Sequence, residues 1–171
     1  MSGPAEVRAY LCLGGNIGSP RESLSAALKR IDADRLTRVE TVSSLYRTPP
    51  WGKLDQPEFL NAVASVLTTR SPRALLDLCL DIEVLLKRSR GERWGPRLID
   101  IDVLLYGDRS VKEVGLEIPH PRMFVRAFVL VPLAEIAPNL SIRNVRVASY
   151  LAGLDVTGID RISDDGNWWR G

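Results

Sequence analysis

Apolar and polar positions alternate from residue 7 to residue 13. Val7, Ala9, Leu11 and Leu13 fall on one face and Arg8, Tyr10 and Cys12 on the other, which predicts a strand ended by Gly14-Gly15-Asn16. The period then changes. Ser19-Pro20-Arg21-Glu22 reads as a helix start, with a serine to cap backbone amides, a proline suited to the first helical position and a glutamate placed to close a capping box. Leu24, Ala27, Leu28 and Ile31 follow at helical spacing, so this helix is expected to reach residue 32 with one buried stripe. A β-rich run covers Val39 to Tyr46.

The same order recurs. After a loop from Arg47 to Pro57, Phe59 to Leu67 reads as a strand and Ser71-Pro72 as a second helix start; Leu75, Leu78, Cys79, Ile82, Leu85 and Leu86 then form a helical stripe to residue 87. Leu98 to Tyr106 reads as another strand. Strand, helix, strand, twice over and with no third layer of helices, predicts an α+β fold: a ferredoxin-like βαββαβ sandwich with both helices on one face of an antiparallel or mixed sheet. Beyond residue 107 come a short strand at 114–118, a turn at Pro119-His120-Pro121-Arg122, a packed helix over 127–136 despite Pro132, and a short helix over 147–154.

A chain of 171 residues with 45% hydrophobic content suits one domain. Its core is expected over residues 7–140, with extra strand and helix elements over 141–171, where Trp168 and Trp169 should cover an apolar surface. The N-terminus lacks the pattern of a signal peptide, and no apolar run approaches the ~18 residues that span a bilayer, so a cytoplasmic protein without membrane association is expected. Cys12 and Cys79 each sit in an apolar periodic segment and read as core residues. With a single histidine, His120, a multi-histidine metal centre is excluded.

The net charge of +2 by itself predicts neither a nucleic-acid coat nor an acidic tail, but it hides a concentration. Nineteen of the 23 basic residues are arginine, and residues 87–97 alone (Lys87, Arg88, Arg90, Arg93 and Arg97 against Glu92) carry a net +4. Directly after them stands Leu98-Ile99-Asp100-Ile101-Asp102-Val103-Leu104. On a strand, Asp100 and Asp102 point the same way, their Cα atoms about 7 Å apart, while Ile99, Ile101, Val103 and Leu105 are expected to face the core. Aspartate is disfavoured in strands, and two on one face repel unless something cationic lies between them. Mg2+ takes one or two carboxylates together with waters and phosphate oxygens, and guanidinium groups match phosphate in bidentate fashion, so the two features together suggest a metal-bound polyphosphate.

The stretch RWGPRLIDIDVLL resembles the signature of the 6-hydroxymethyl-7,8-dihydropterin pyrophosphokinase family of folate biosynthesis. The resemblance extends in order through LGGNIG at 13–18, VSSLYRTPPWG at 42–52, DQPEFLNAV at 55–63 and IPHPRMFVRAFVLVPLAEIAP at 118–138. It implies Mg-dependent transfer of pyrophosphate from ATP to the pterin alcohol. In that reading Asp100 and Asp102 hold two Mg2+ ions, with Arg88 and Arg97 also catalytic. Glu83, Arg88, Arg90, Arg93, Arg97, Val103, His120 and Arg126 serve ATP. Thr48, Pro49, Trp51, Phe59, Asn61, Trp94 and Phe128 form the pterin pocket, beside Gly14 and Asn16. Gly15, where the family often has serine, and Trp51, where it often has a smaller apolar residue, depart from the common pattern.

The resemblance further implies small-molecule substrates and a monomer. Two competing classes are an RNA-binding module, since ferredoxin-like sheets also serve RNA recognition, and a glycosyltransferase with an Asp-x-Asp metal pair. The first lacks closely spaced exposed aromatics and would present acids to a phosphate backbone; the second is short of residues for a nucleotide-sugar domain.

Overall fold

The computed structural model describes residues 4–50, 57–89 and 99–171, with the side chains of residues 88 and 89 also left out. The first repeat comprises β1 (Val7–Gly15), α1 (Pro20–Asp32), β2 (Thr37–Val42) and β3 (Tyr46–Thr48). The second comprises β4 (Phe59–Thr68), α2 (Pro72–Ser89) and β5 (Asp100–Tyr106). A hairpin, β6 (Val111–Glu113) and β7 (Leu116–Ile118), precedes a 3-10 turn at Met123–Val125 and α3 (Ala127–Ile136). The chain ends with β8 (Ser141–Ile142), β9 (Val145–Arg146), α4 (Val147–Ala152) and β10 (Asp160–Arg161).

β5, β1 and β4 lie side by side in antiparallel pairs, and both β2 and β3 pair with β4 beyond them. The result is the α+β ferredoxin-like arrangement expected from the repeated pattern, with the single β run expected at 39–46 divided in two. The division falls at Ser43-Ser44-Leu45. There the Ser43 hydroxyl donates to the Ser44 carbonyl oxygen, and the Ser44 amide and hydroxyl donate to the carboxylate of Glu135, so side chains replace ladder partners. Thr48, expected in a loop, belongs to β3.

Both helix starts carry proline at the first position, but only the second serine caps: the Ala74 amide donates to Ser71 Oγ at 3.1 Å, whereas Ser19 caps no amide of α1 with its side chain. The buried stripes of α1 and α2 meet Leu11, Leu13 and Ile101 on one face of the sheet. Leu85, expected on the α2 stripe, is exposed.

The absence of a third layer is not borne out. Met123, Val129, Leu130, Leu133 and Val147 pack from α3, α4 and their approach against Cys12, Val63, Leu104 and Leu105 on the opposite face. Pro132 does not break α3, and its side chain is buried there. Leu105 therefore faces this second layer and not the helices of the first. The cause is a register shift: Tyr10 pairs with Leu105 but Leu11 with Val103, so Leu104 is an extra residue that reverses the alternation after it. Because α3 and α4 cover one end of this face, the end near Gly14 and Asp100 is left for a site. Trp168 and Trp169 are buried against the first layer, as expected, and Cys12 and Cys79 are buried free thiols. Among the described residues, no helix is long and apolar enough to cross a membrane.

Candidate functional site

Four residues form a row across the sheet in its paired register: Asp100 on β5 stands opposite Gly14 on β1, Gly14 opposite Asn61 on β4, and Asn61 opposite Tyr46 on β3. Adjacent rows bring Asp102 beside Cys12 and Phe59 beside Thr48. Strand alternation thus turns Asp100, Asp102, Asn61, Phe59 and Thr48 toward the face that α3 leaves partly open.

Their side chains, with Pro49, Arg126 and Phe128, line a cavity of about 160 Å³. Its walls are aromatic and apolar, and its polar lining is specific. Asn61 is buried and donates through Nδ2 to Thr48 Oγ1 at 2.7 Å, which fixes the amide plane and turns its carbonyl oxygen toward Gly14. Asn16, also buried, donates to the Pro57 carbonyl oxygen and ties the end of β1 to the entry of β4. The guanidinium of Arg126 lies 5.6 Å from the ring centroid of Phe128, a cation-π contact at the rim.

A second cavity of about 330 Å³ opens on the other side of β5, among Val103, His120, the β6–β7 hairpin and Leu76. Asp102 lines both cavities, and Asp100 the first. Between them the backbone is held by Glu83 of α2, whose Oε1 accepts the Ile101 amide at 2.6 Å. Burial pushes the Glu83 carboxyl above its ordinary range, against the favourable hydrogen bond from Ile101, and the negative Asp100 and Asp102 add to the rise. Glu83 is thus neither free in solvent nor separate from the acidic pair.

His120 is anchored at both ends of its residue. Its amide donates to the Leu104 carbonyl oxygen and its Nδ1 accepts the Arg122 amide. Burial lowers its pKa from the ordinary value, with Arg126 and Arg122 acting in the same direction and Asp102 opposing. Burial first and Asp102 second push the Cys12 thiol well above its normal range, and Cys79 is pushed up to about 12, so neither is a nucleophile at neutral pH.

Of the residues expected at the site, Thr48, Pro49, Phe59, Asn61, Asp100, Asp102, Arg126 and Phe128 gather around the first cavity, and Val103 and His120 around the second. Trp51, Arg90, Arg93, Trp94 and Arg97 lie outside the described residues, as does the side chain of Arg88. Sequence reasoning did not single out Cys12 as a cavity-lining residue, nor Glu113 and Glu117 beside the second cavity. The alternation of β1 contained the signal for Cys12, since it places that residue on the face of the acidic pair. Nothing local marked the two glutamates, which arrive through the hairpin.

A ferredoxin-like sheet with two adjoining cavities, and an acidic pair of which Asp102 borders both, is an arrangement able to take small charged ligands. Residues 10–138 match the family described as 7,8-dihydro-6-hydroxymethylpterin-pyrophosphokinase, and the chain belongs to that family of folate biosynthesis. It is 50% identical over 155 residues to the 2-amino-4-hydroxy-6-hydroxymethyldihydropteridine pyrophosphokinase of Methylorubrum extorquens, covering 91% of this chain and 98% of that one. The enzyme of the same description from Pseudomonas aeruginosa is 42% identical over 156 residues, covering 91% and 96% of the two chains. In fold, the chain is similar to wild-type Plasmodium falciparum HPPK-DHPS, with a TM-score of 0.70 at 17% identity over 86% of this chain; it spans 43% of that longer protein.

Proposed function

We propose that this chain transfers pyrophosphate from ATP to 6-hydroxymethyl-7,8-dihydropterin, acting as a Mg-dependent cytoplasmic monomer whose 171 residues form one catalytic domain. The observation that carries the reading is the position of Asp102, which borders both cavities with Asp100 beside it on the same strand face. The pterin hydroxyl oxygen forms a bond to the β-phosphorus, the bond from that phosphorus to the α,β-bridging oxygen breaks, AMP leaves with that oxygen, and the hydroxyl proton passes to solvent.

The first cavity suits the pterin. A flat heterocycle fits against Phe59 and Phe128, its polar edge read by the oriented amide of Asn61, with Thr48 and Pro49 closing one wall. The second cavity, with Val103 and His120, suits the nucleotide, and Arg126 at the rim of the first would serve its phosphates. By the family resemblance alone, Trp51 and Trp94 are assigned to pterin binding and Arg88, Arg90, Arg93 and Arg97 to the phosphates.

The donor set fits Mg2+. Two half-buried carboxylates on one strand face supply the one or two protein oxygens that Mg2+ takes beside water and phosphate, and no cluster of three or more metal-binding side chains exists among the described residues. Asp100 and Asp102 would hold the two ions, which would supply neutralisation of phosphate charge. The protein's own part is placement: Glu83 holds the strand that bears the two carboxylates, and Asn61, by holding the ring at its polar edge, sets where the alcohol stands for in-line attack.

The test is AMP release from MgATP in the presence and absence of the hydroxymethyl-dihydropterin. AMP formation that requires both the pterin and Mg2+ is expected. AMP formed without pterin, or equal rates in excess chelator, would reject the reading.

A further inference from the structure

Residues beyond 138 fall outside the stretch matched to the family, yet they touch the wall of the first cavity. β3 is three residues long and pairs with β4 on one side only; a strand that short with a bare edge would fray. The C-terminal segment supplies the missing edge. Asp160 pairs with Arg47 and Arg161 with Tyr46, and beyond them the Ile162 amide donates to the Leu45 carbonyl oxygen while the Leu45 amide donates to Ser163 Oγ, both at 2.8 Å.

The segment is itself anchored. Trp168 donates through Nε1 to the Ser43 carbonyl oxygen at 2.9 Å, the Trp169 carbonyl oxygen accepts the Ser25 hydroxyl of α1 at 2.7 Å, and both indoles are buried. Gly166 lies so near the Val42 carbonyl oxygen that a β-carbon would overlap it.

One residue of this segment meets the cavity wall. Gly158, with φ +83°, turns the chain into β10, and a β-carbon there would lie 2.9 Å from Cγ and 3.5 Å from Cδ of Pro49. A proline ring has little room to give, so the empty space at Gly158 sets where the ring stands. Pro49 in turn follows Thr48, whose hydroxyl orients the amide of Asn61.

We infer that Gly158 is a positioning residue for the pterin pocket, acting through Pro49, and that β10 holds β3 in register as the sixth strand of the site's own sheet. The inference rests on the assignment of the first cavity to the pterin. It makes the tail part of substrate recognition on one side of the site only, because Gly158 reaches Pro49 and not the cavity beyond Asp102.

The experiment is calorimetric binding of a non-reactive hydroxymethyl-pterin analogue, and separately of a non-hydrolysable MgATP analogue, to four variants of the full chain: Gly158→Ala, Pro49→Ala, the double variant and Asn61→Ala. Gly158→Ala should weaken pterin binding about tenfold, since displacements well below 1 Å are felt in a close-fitting site. It should change nucleotide binding less than twofold. In the Pro49→Ala background the same substitution should add less than twofold, because the ring it displaces is gone, whereas backbone strain at φ +83° would persist in both backgrounds. An equal effect on both ligands, an equal effect in both backgrounds, or no effect on the pterin overturns the inference. Asn61→Ala separates the two levels: if it binds pterin like wild type, the pocket assignment falls and this inference with it. If Asn61→Ala weakens pterin binding and Gly158→Ala does not, only the role of Gly158 falls.

Discussion

Gly14 faces Asn61 across the β1–β4 register so closely that a β-carbon on Gly14 would lie 2.5 Å from Asn61 Oδ1. The glycine is required by its neighbour's side chain and not by its own backbone angles. Gly14→Ala should therefore displace the Asn61 amide and break its hydrogen bond to Thr48. A cost of about 1–3 kcal/mol is expected, typical of overpacking at a buried site, and urea denaturation measures it. Pterin affinity should fall at least about tenfold in titration calorimetry, with nucleotide affinity little changed. Wild-type pterin affinity in this variant would show that the Asn61 amide does not read the ligand.

The acidic pair makes a different prediction, because it contributes chemistry more than stability. Asp100→Ala and Asp102→Ala should each retain a cooperative thermal transition within a few degrees of wild type, since removing one of two like charges on a strand face relieves repulsion. Each should lower transfer by about a thousandfold or more, as expected where phosphate charge loses its metal. Near-normal turnover in both variants would reject the metal assignment.

Glu83 couples α2 to the strand between the two aspartates. Its raised pKa means that folding disfavours its charged form: the contribution to stability is full below the ordinary carboxylate value of 4.5 and is lost as pH rises through the higher folded value. Glu83→Gln keeps an oxygen to accept the Ile101 amide and removes this titration. The variant should gain stability relative to wild type between pH 4 and pH 7, read from urea midpoints at the two values. Glu83→Ala, which leaves that amide without its partner, should instead lose about 1–3 kcal/mol.

Glu135 closes the break between β2 and β3 from the opposite layer. It accepts the Ser44 amide at 3.0 Å, the Ser44 hydroxyl at 2.8 Å and the Tyr46 phenol at 2.6 Å, and burial with this carboxylate holds the Tyr46 phenol far above its ordinary pKa. Glu135→Ala should cost about 2–4 kcal/mol by urea denaturation, because buried donors lose a charged acceptor. Tyr46→Phe should cost about 1 kcal/mol. A loss near zero for Glu135→Ala would mean that water replaces the carboxylate.

The two strand–helix–strand units were legible because each face of their elements is read from residues three or two positions apart. Leu24 and Ile31 on α1, or Leu11 and Leu13 on β1, declare a buried side without reference to anything distant. Asp100 and Asp102 were legible for the same reason, since the period of a strand alone puts them on one face. The family resemblance added most of the remaining site residues, and those among the described residues gather at the two cavities, except Glu83 and Asn16, which line neither.

What escaped the sequence depends on partners far along the chain. The extra residue at Leu104, which sends Leu105 to the other face, exists only in the pairing of β5 with β1. The division at Ser43–Leu45 is stabilised by Glu135 and Trp168, 91 and 125 residues away from the groups they bind. The layer formed by α3 and α4, and the contact between Gly158 and Pro49, likewise follow from where the C-terminal third packs. Local period and turn chemistry thus determined the two strand–helix–strand units and the acidic pair; only the folded chain decided where the strands divide, which end of the sheet stays open and what braces its wall, because those outcomes are set by long-range packing and hydrogen bonding that no short window of residues contains.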